Sequence, residues 1–416
     1  GTEPLIRGIT SLLVGQGGAS LAPLLAHGTI PESWWGNTAT TVAHATTMGE
    51  FFSLLRGRLG VNVGTLVGYA TVREGITRGV PRDLTDREFE LLEHMLRAAL
   101  EEGALGVSAN LEYLRTTRVP HHELVAAARV AKEKDALFAL KLRGREEHVK
   151  DGFVEALSIS KATGADLLIT DLEPYARAEA SYRALATQIT RASAEHRIRF
   201  TTSGTGIAAL PLPLLLPPHF REEEWFTMSD RLNDPSAREE IRAHLSRYRD
   251  IPFHVASVAD PSLKLFEGTP FAKWSLHEHL PFEEALIHLM TVTRFRAVLA
   301  AAVGSDELAE SFASHDRAFI ASGEAAAPSL ETSAHLSFLA GKERGALPLE
   351  QRIAAMTGGP AKKMGLTRRG TLKEGHYADL LVIEKAVVRE AFVNGIHAIR
   401  EGAPTGARGG TALTRT

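Results

Sequence analysis

The chain has no cysteine among its 416 residues. This excludes disulfides, thiolate metal ligands and a cysteine nucleophile, and it leads us to expect a reducing, cytoplasmic setting. Charge of one sign is also lacking: 47 Lys and Arg stand against 50 Asp and Glu, a net charge of −3. That balance gives no reason to expect nucleic acid or an anionic membrane as a partner. Long hydrophobic runs are missing too. The most apolar window, 206–218, is interrupted by prolines and is too short to span a bilayer. No targeting segment is visible, and the chain begins at Gly1 without a methionine, so a processed chain or a piece of a longer one is expected.

What is present describes a globular protein: 44% hydrophobic and 23% charged residues, with ample length for a large core. The most informative stretch is Leu167 to Glu173, LLITDLE, an apolar run that ends in two carboxylates and reads as a buried parallel strand. Further strands are expected at Ile9–Val14, Val61–Gly68, Gly106–Asn110, Leu137–Leu142, Arg197–Thr202 and Ala318–Ser322. Helices alternate with them, the clearest opening on the capping box Thr85-Asp86-Arg87-Glu88. Others are expected at Glu123–Lys134, Val149–Thr163 and Tyr182–His196. Short connections between alternating strands and helices point to a parallel sheet with helical crossovers. Seven strands leave a barrel one short of closure.

The stretch from Gly206 to about Ser314 breaks this rhythm and reads as an excursion between two barrel strands. It contains a Pro/Leu-rich loop at Pro211–Pro218, a polar helix capped by Asp234-Pro235, and a helix over Phe282–Thr293. Leu349–Met364 reads as one amphipathic helix. Tyr377–Glu384, Ala391–Arg400 and Thr411–Thr414 read as short strands of a small β domain lacking its other half.

Gly8-Ile9-Thr10-Ser11, Val14-Gly15-Gln16-Gly17-Gly18 and Ser20-Leu21-Ala22-Pro23-Leu24 resemble the GVTT…VVGNCGxSLAPL run of N-acyl-D-amino-acid deacylases in the amidohydrolase superfamily. Residues 104–113, ALGVSANLEY, resemble their GAxGxSTGLEY. Met356-Thr357, Pro360-Ala361, Gly365-Leu366, Arg369-Gly370 and the run from Gly375 to Val382 resemble their carboxyl-terminal motif. The resemblance covers nearly the whole chain. It implies an α/β fold: a TIM-type (β/α)8 barrel of the metal-dependent hydrolase kind, its first strand apparently missing, with the remnant of a small β-sandwich domain. The expected division is 1–365 for the barrel, including the excursion, and 366–416 for the β domain.

The resemblance also implies hydrolysis of an acyl amide by a zinc-activated water, with ligands ringing the carboxyl ends of several strands. At those positions this chain differs. Gly17 replaces the family cysteine, Lys141 and Asp171 replace two histidines, and Gly323 replaces the catalytic aspartate. Ser108, Glu112, Tyr113 and Arg143 match the family and are expected around the substrate pocket, Glu112 as a framework carboxylate rather than a general base. Lys141 and Asp171 lie at the ends of adjacent strands and are expected to pair where metal-bound histidines would have sat.

Other groups favour ordinary readings. His277-Glu278-His279 has ligand-like spacing but falls in the excursion and is expected on the surface. His121-His122 opens a helix, and His315-Asp316 has no nucleophile beside it. Ser20, Ser108 and Ser203 are not in a nucleophile elbow. Gly15–Gly18 reads as a turn rather than a phosphate cradle. The expectation is therefore a catalytically degenerate deacylase-like protein with a binding or scaffold role, no metal, a small-molecule amide as ligand and homo- or hetero-oligomeric assembly. The alternative is an active amidohydrolase of N-acyl amino acids or related amides with an altered zinc site.

Overall fold

The structure, a computed structural model, describes residues 3–25, 46–80, 82–112, 119–221, 225–322 and 347–414. In chain order the barrel strands are β1 (Ser11–Val14), β2 (Asn62–Thr65), β3 (Val67–Gly68), β4 (Gly106–Asn110), β5 (Leu137–Lys141), β6 (Asp166–Ile169) and β7 (Ile198–Thr202). After β7 come β8 (Ile207–Pro211), β9 (His254–Val258) and β10 (Ala297–Ala302), and then β11 (Ala318–Ile320) rejoins the barrel. The order β11-β7-β6-β5-β4-β3 is parallel throughout, and β1 pairs in parallel with β2, which continues through Leu66 into β3. Counting β2 and β3 as one gives seven staves of a TIM-type barrel. Among the described residues, β11 and β1 are not paired with each other.

Alternation along the strands sorts the core into two layers. Phe138 and Leu140 of β5, Leu167 and Ile169 of β6 and Phe200 of β7 face outward and pack beneath the helices. Leu92 and Leu96 join the same cluster from the helix Asp86–Glu101, whose start is fixed by the reciprocal Thr85–Glu88 capping box. Leu137, Ala139 and Leu168 face inward and join Leu66, Leu105 and Phe319 in a separate cluster within the barrel. Lys141 continues the inward column of β5 at its carboxyl end, the end where barrel chemistry is placed.

The excursion holds more than loop and helix. Its β8, β10 and β9 form a three-stranded antiparallel sheet that the sequence reading leaves out. The runs IAALP and AVLAAA are alanine-rich, and alanine is a poor strand former, so pairing rather than local preference makes these strands. Pro211 lies at the end of β8, an edge strand, where a missing N–H is tolerated. The expected amphipathic helix at Leu349–Met364 is broken into Leu349–Met356 and Gly358–Lys363 by Thr357, whose φ of −130° and ψ of −85° are not helical.

The carboxyl-terminal sheet is a meander of β12 (Leu380–Glu384), β13 (Val387–Val393), β14 (Ile396–Arg400) and β15 (Ala403–Pro404). The stretch Ala391–Arg400, expected as one strand, is the end of one and the whole of the next. Asn394 and Gly395 have φ of 51° and 81°, the paired positive values of a tight hairpin turn. Leu5, from the short helix Glu3–Ile6, is buried with Val388, Ala391, Val393, Ala398 and Ile399 on the inner face of this sheet. The last strand, β16 (Ala412–Leu413), does not join the meander: it pairs in parallel with β2, Ala412 opposite Val63. Gly410 permits that approach, since a Cβ there would lie 2.0 Å from the Val61 carbonyl oxygen. None of the described helices is long and apolar enough to cross a membrane.

Candidate functional site

Lys141 ends β5 with only 7% of its surface exposed. Its ammonium lies 2.8 Å from Asp171 Oδ2 and 3.5 Å from Glu112 Oε2, which makes it the centre of a buried three-membered ion cluster. The pair anticipated from strand order is formed.

Asp171 reaches this position by leaving the strand. β6 stops at Ile169, and Asp171 takes a left-handed φ of 57°, which aspartate tolerates better than most non-glycine residues. Its backbone N–H donates to Thr201 Oγ1 at 2.8 Å, and the Leu172 N–H donates to the Thr201 carbonyl at 2.8 Å, so β7 fixes the turn. Glu112 stands two residues past β4, where its N–H donates to Asn110 Oδ1 at 3.0 Å. Arg145 pairs with the other oxygen of Glu112 and donates to the Tyr175 hydroxyl at 2.8 Å. Burial pushes the Glu112 carboxyl up, but the opposing pull of Arg145 and Lys141 outweighs it and holds the group at about 2.

Glu173 behaves in the opposite way. It is 5% exposed, and burial, with the charge of Asp171 second, pushes its carboxyl up to about 8. The backbone N–H of Ser203, the Ser203 hydroxyl at 3.0 Å and the Thr202 hydroxyl at 3.2 Å hold it in place without restoring its acidity. Burial likewise pushes the Tyr175 hydroxyl up to about 12. Glu112, Lys141, Arg145, Asp171, Glu173 and Tyr175 together line a cavity of about 40 Å³, closed on its apolar side by Leu142, Leu172, Ala208 and Ala209.

The other residues singled out from sequence lie elsewhere. Ser108 is fully buried on β4 and donates its hydroxyl to the Gly15 carbonyl, a tie between strands rather than a pocket contact. Arg143 turns away from the cavity to Glu155, with Nε 3.0 Å from Oε2, because that carboxylate on the helix Val149–Thr163 offers it an ion pair. Gly17 is part of the turn after β1 and does not line the cavity. Tyr113 and Gly323, and the Trp34–Asn37 region, lie outside the described residues. Ser20 accepts a hydrogen bond from the Gly68 N–H and donates to the Ala22 carbonyl at 2.6 Å. His277 is 64% exposed and shares Glu278 with His288, at 2.8 and 3.1 Å. His315 packs edge-on against Phe200, with its ring 2.9 Å from the Thr190 hydroxyl. Arg145, Glu173 and Tyr175 were not assigned a site role from sequence. The available signal was position alone, since each follows the carboxyl end of a barrel strand by a few residues.

This donor set does not suit a divalent metal. Zinc requires several neutral imidazoles or carboxylates converging on one point. Here an ammonium already lies between the two carboxylates nearest the strand ends, and among the described residues no three His, Asp or Glu side chains converge as ligands.

The sequence profile of the Amidohydrolase family matches residues 327–393. Along its full length the chain is 23% identical to the D-aminoacylase of Alcaligenes xylosoxydans xylosoxydans, covering 83% of that protein. The solved structure of a D-aminoacylase superposes over the whole chain and 84% of its own length, with a TM-score of 0.78 and 18% identity. The N-acyl-D-glutamate deacylase of Bordetella bronchiseptica, solved with zinc and a phosphonate mimic of the tetrahedral intermediate, gives a TM-score of 0.77 and 21% identity over the whole chain and 84% of its own length.

Proposed function

We propose that the chain is an amidohydrolase-family homologue of the N-acyl-D-amino-acid deacylases, and a catalytically degenerate one that binds a ligand without metal-dependent hydrolysis. One observation carries this reading: the Lys141 ammonium lies between Asp171 and Glu112, 2.8 and 3.5 Å away.

A zinc ion contributes two things to amide hydrolysis. It lowers the pKa of a bound water to about 7 and it polarises the carbonyl as a Lewis acid. A lysine ammonium does neither well. It has no vacant coordination position, and here it donates to Asp171 at 2.8 Å with Glu112 3.5 Å away. It satisfies the charge of the site with one positive unit where a metal would bring two. The barrel therefore keeps a charged, structured mouth, fit to hold a small ligand.

The test uses the purified full chain. Metal analysis is expected to find zinc well below one per chain, and N-acetyl-D-amino acids are expected to be hydrolysed no faster than the background, with or without added zinc. Stoichiometric zinc together with turnover would overturn the reading.

A further inference from the structure

We propose that Lys141 is a capture site for a small carbonyl compound, an aldehyde or a 2-oxo acid, held covalently and reversibly as an iminium in the cavity at the barrel mouth. The inference rests on the metal-free reading of the site and goes beyond it by naming the chemistry of the ligand.

Five features of the cavity support it. Lys141 is the one lysine among its described lining residues, and it stands at the end of a rigid strand with its stem above Ala139. Lysine is the side chain whose amine condenses with carbonyls to form Schiff bases in proteins. Asp171 Oδ2, 2.8 Å from Nζ, is within reach to take the proton that the ammonium must lose before it can attack. Glu112, kept ionised by Arg145, remains as a counterion 3.5 Å away. Glu173, which also lines the cavity, is held as the neutral acid at neutral pH and can deliver a proton to oxygen. The cavity volume of about 40 Å³ favours a ligand of a few heavy atoms.

The step balances without an oxidant or a second reactant. Lys141 gives one proton to Asp171, and its lone pair forms a C–N bond with the carbonyl carbon. The carbonyl oxygen takes a proton from Glu173 to give a carbinolamine. Asp171 then protonates the hydroxyl, which leaves as water. The nitrogen proton lost in forming the C=N bond returns to Glu173. The iminium carries the same single positive charge as the ammonium it replaces, so the carboxylates that hold one state hold the other.

The experiment incubates the full-length protein with pyruvate, or separately with glycolaldehyde, reduces with sodium borohydride and maps the product by peptide mass. One reduced adduct at Lys141, formed at carbonyl concentrations that leave exposed lysines unmodified, is expected with at least one of the two probes. Pyruvate alone identifies a 2-oxo acid site, and glycolaldehyde alone an aldehyde site. Lys141→Arg keeps the charge and is expected to abolish the adduct. Mapping in the wild-type chain decides the matter even if that variant misfolds. Adducts scattered over exposed lysines with no enrichment at Lys141 overturn the proposal. Zinc with N-acyl hydrolysis would overturn the earlier reading, whereas a metal-free chain lacking the adduct overturns only this one.

Discussion

Glu173 keeps its proton at a pH where other carboxyls have lost theirs, because burial and the neighbouring Asp171 both disfavour its anion. Its folded value of about 8 lies above its ordinary value of 4.5, so the folded state binds this proton more tightly than the unfolded state does. The stabilisation is therefore complete below the ordinary value and is lost as pH rises through the folded one. Between those limits stability is expected to fall with pH by up to about 1.4 kcal/mol per unit from this group alone. Glu173→Gln should flatten that slope. Urea unfolding of both proteins at about pH 5.5 and about pH 8 checks it, and parallel pH dependences would refute it. At this scale the sequence was informative where alternation applied: Lys141 and Asp171 could be read as strand-end neighbours from the runs LFALKL and LLITDLE. The company they keep could not. Glu112 follows β4, and Glu173 is held in place by the backbone N–H of Ser203, 30 residues further on, so the placement of both depends on the register of β4 to β7.

Elements show the same division between local and distant causes. Capping boxes and strand alternation are local, so the helix after Thr85 and strands β4 to β7 were legible to within a few residues. The excursion sheet was hidden because its alanine-rich strands carry no strong preference of their own. The turn at Asn394-Gly395 did carry a signal, an Asn-Gly pair between apolar runs, which reading Ala391–Arg400 as one strand passed over. That turn is also tied into the barrel. The Asn394 N–H donates to Asp379 Oδ1 at 2.9 Å, its side chain donates to Asn62 Oδ1 at 2.7 Å, and Asp379 pairs with the buried Arg369. Asp379→Ala should remove the ion-pair partner of a largely buried guanidinium that keeps only Thr411 and the Tyr377 ring, and it is expected to cost about 2 kcal/mol in urea unfolding. A loss below about 0.5 kcal/mol would show that water replaces the carboxylate.

Across the whole molecule, what the sequence left least legible was where its end goes. Residues 411–414 have the look of a small-domain strand, and nothing local says that they belong beside β2. In the fold, Leu413 is 6% exposed and packs with Leu66, Leu105, Leu137 and Phe319 inside the barrel. Leu413→Ala is expected to cost about 2–3 kcal/mol, in line with other buried leucines, against a near-zero effect if the strand merely rests on the surface. Equilibrium urea unfolding distinguishes the two. The pairing of β16 with β2 also has a consequence for biosynthesis. The Thr411 N–H donates to Asn62 Oδ1, 349 positions earlier in the chain. At translation rates of roughly 5–20 residues per second, β2 waits on the order of tens of seconds for its neighbour, while the inner face of the barrel stays incomplete. A ribosome-bound nascent chain of this protein should therefore resist proteases poorly until β16 has emerged.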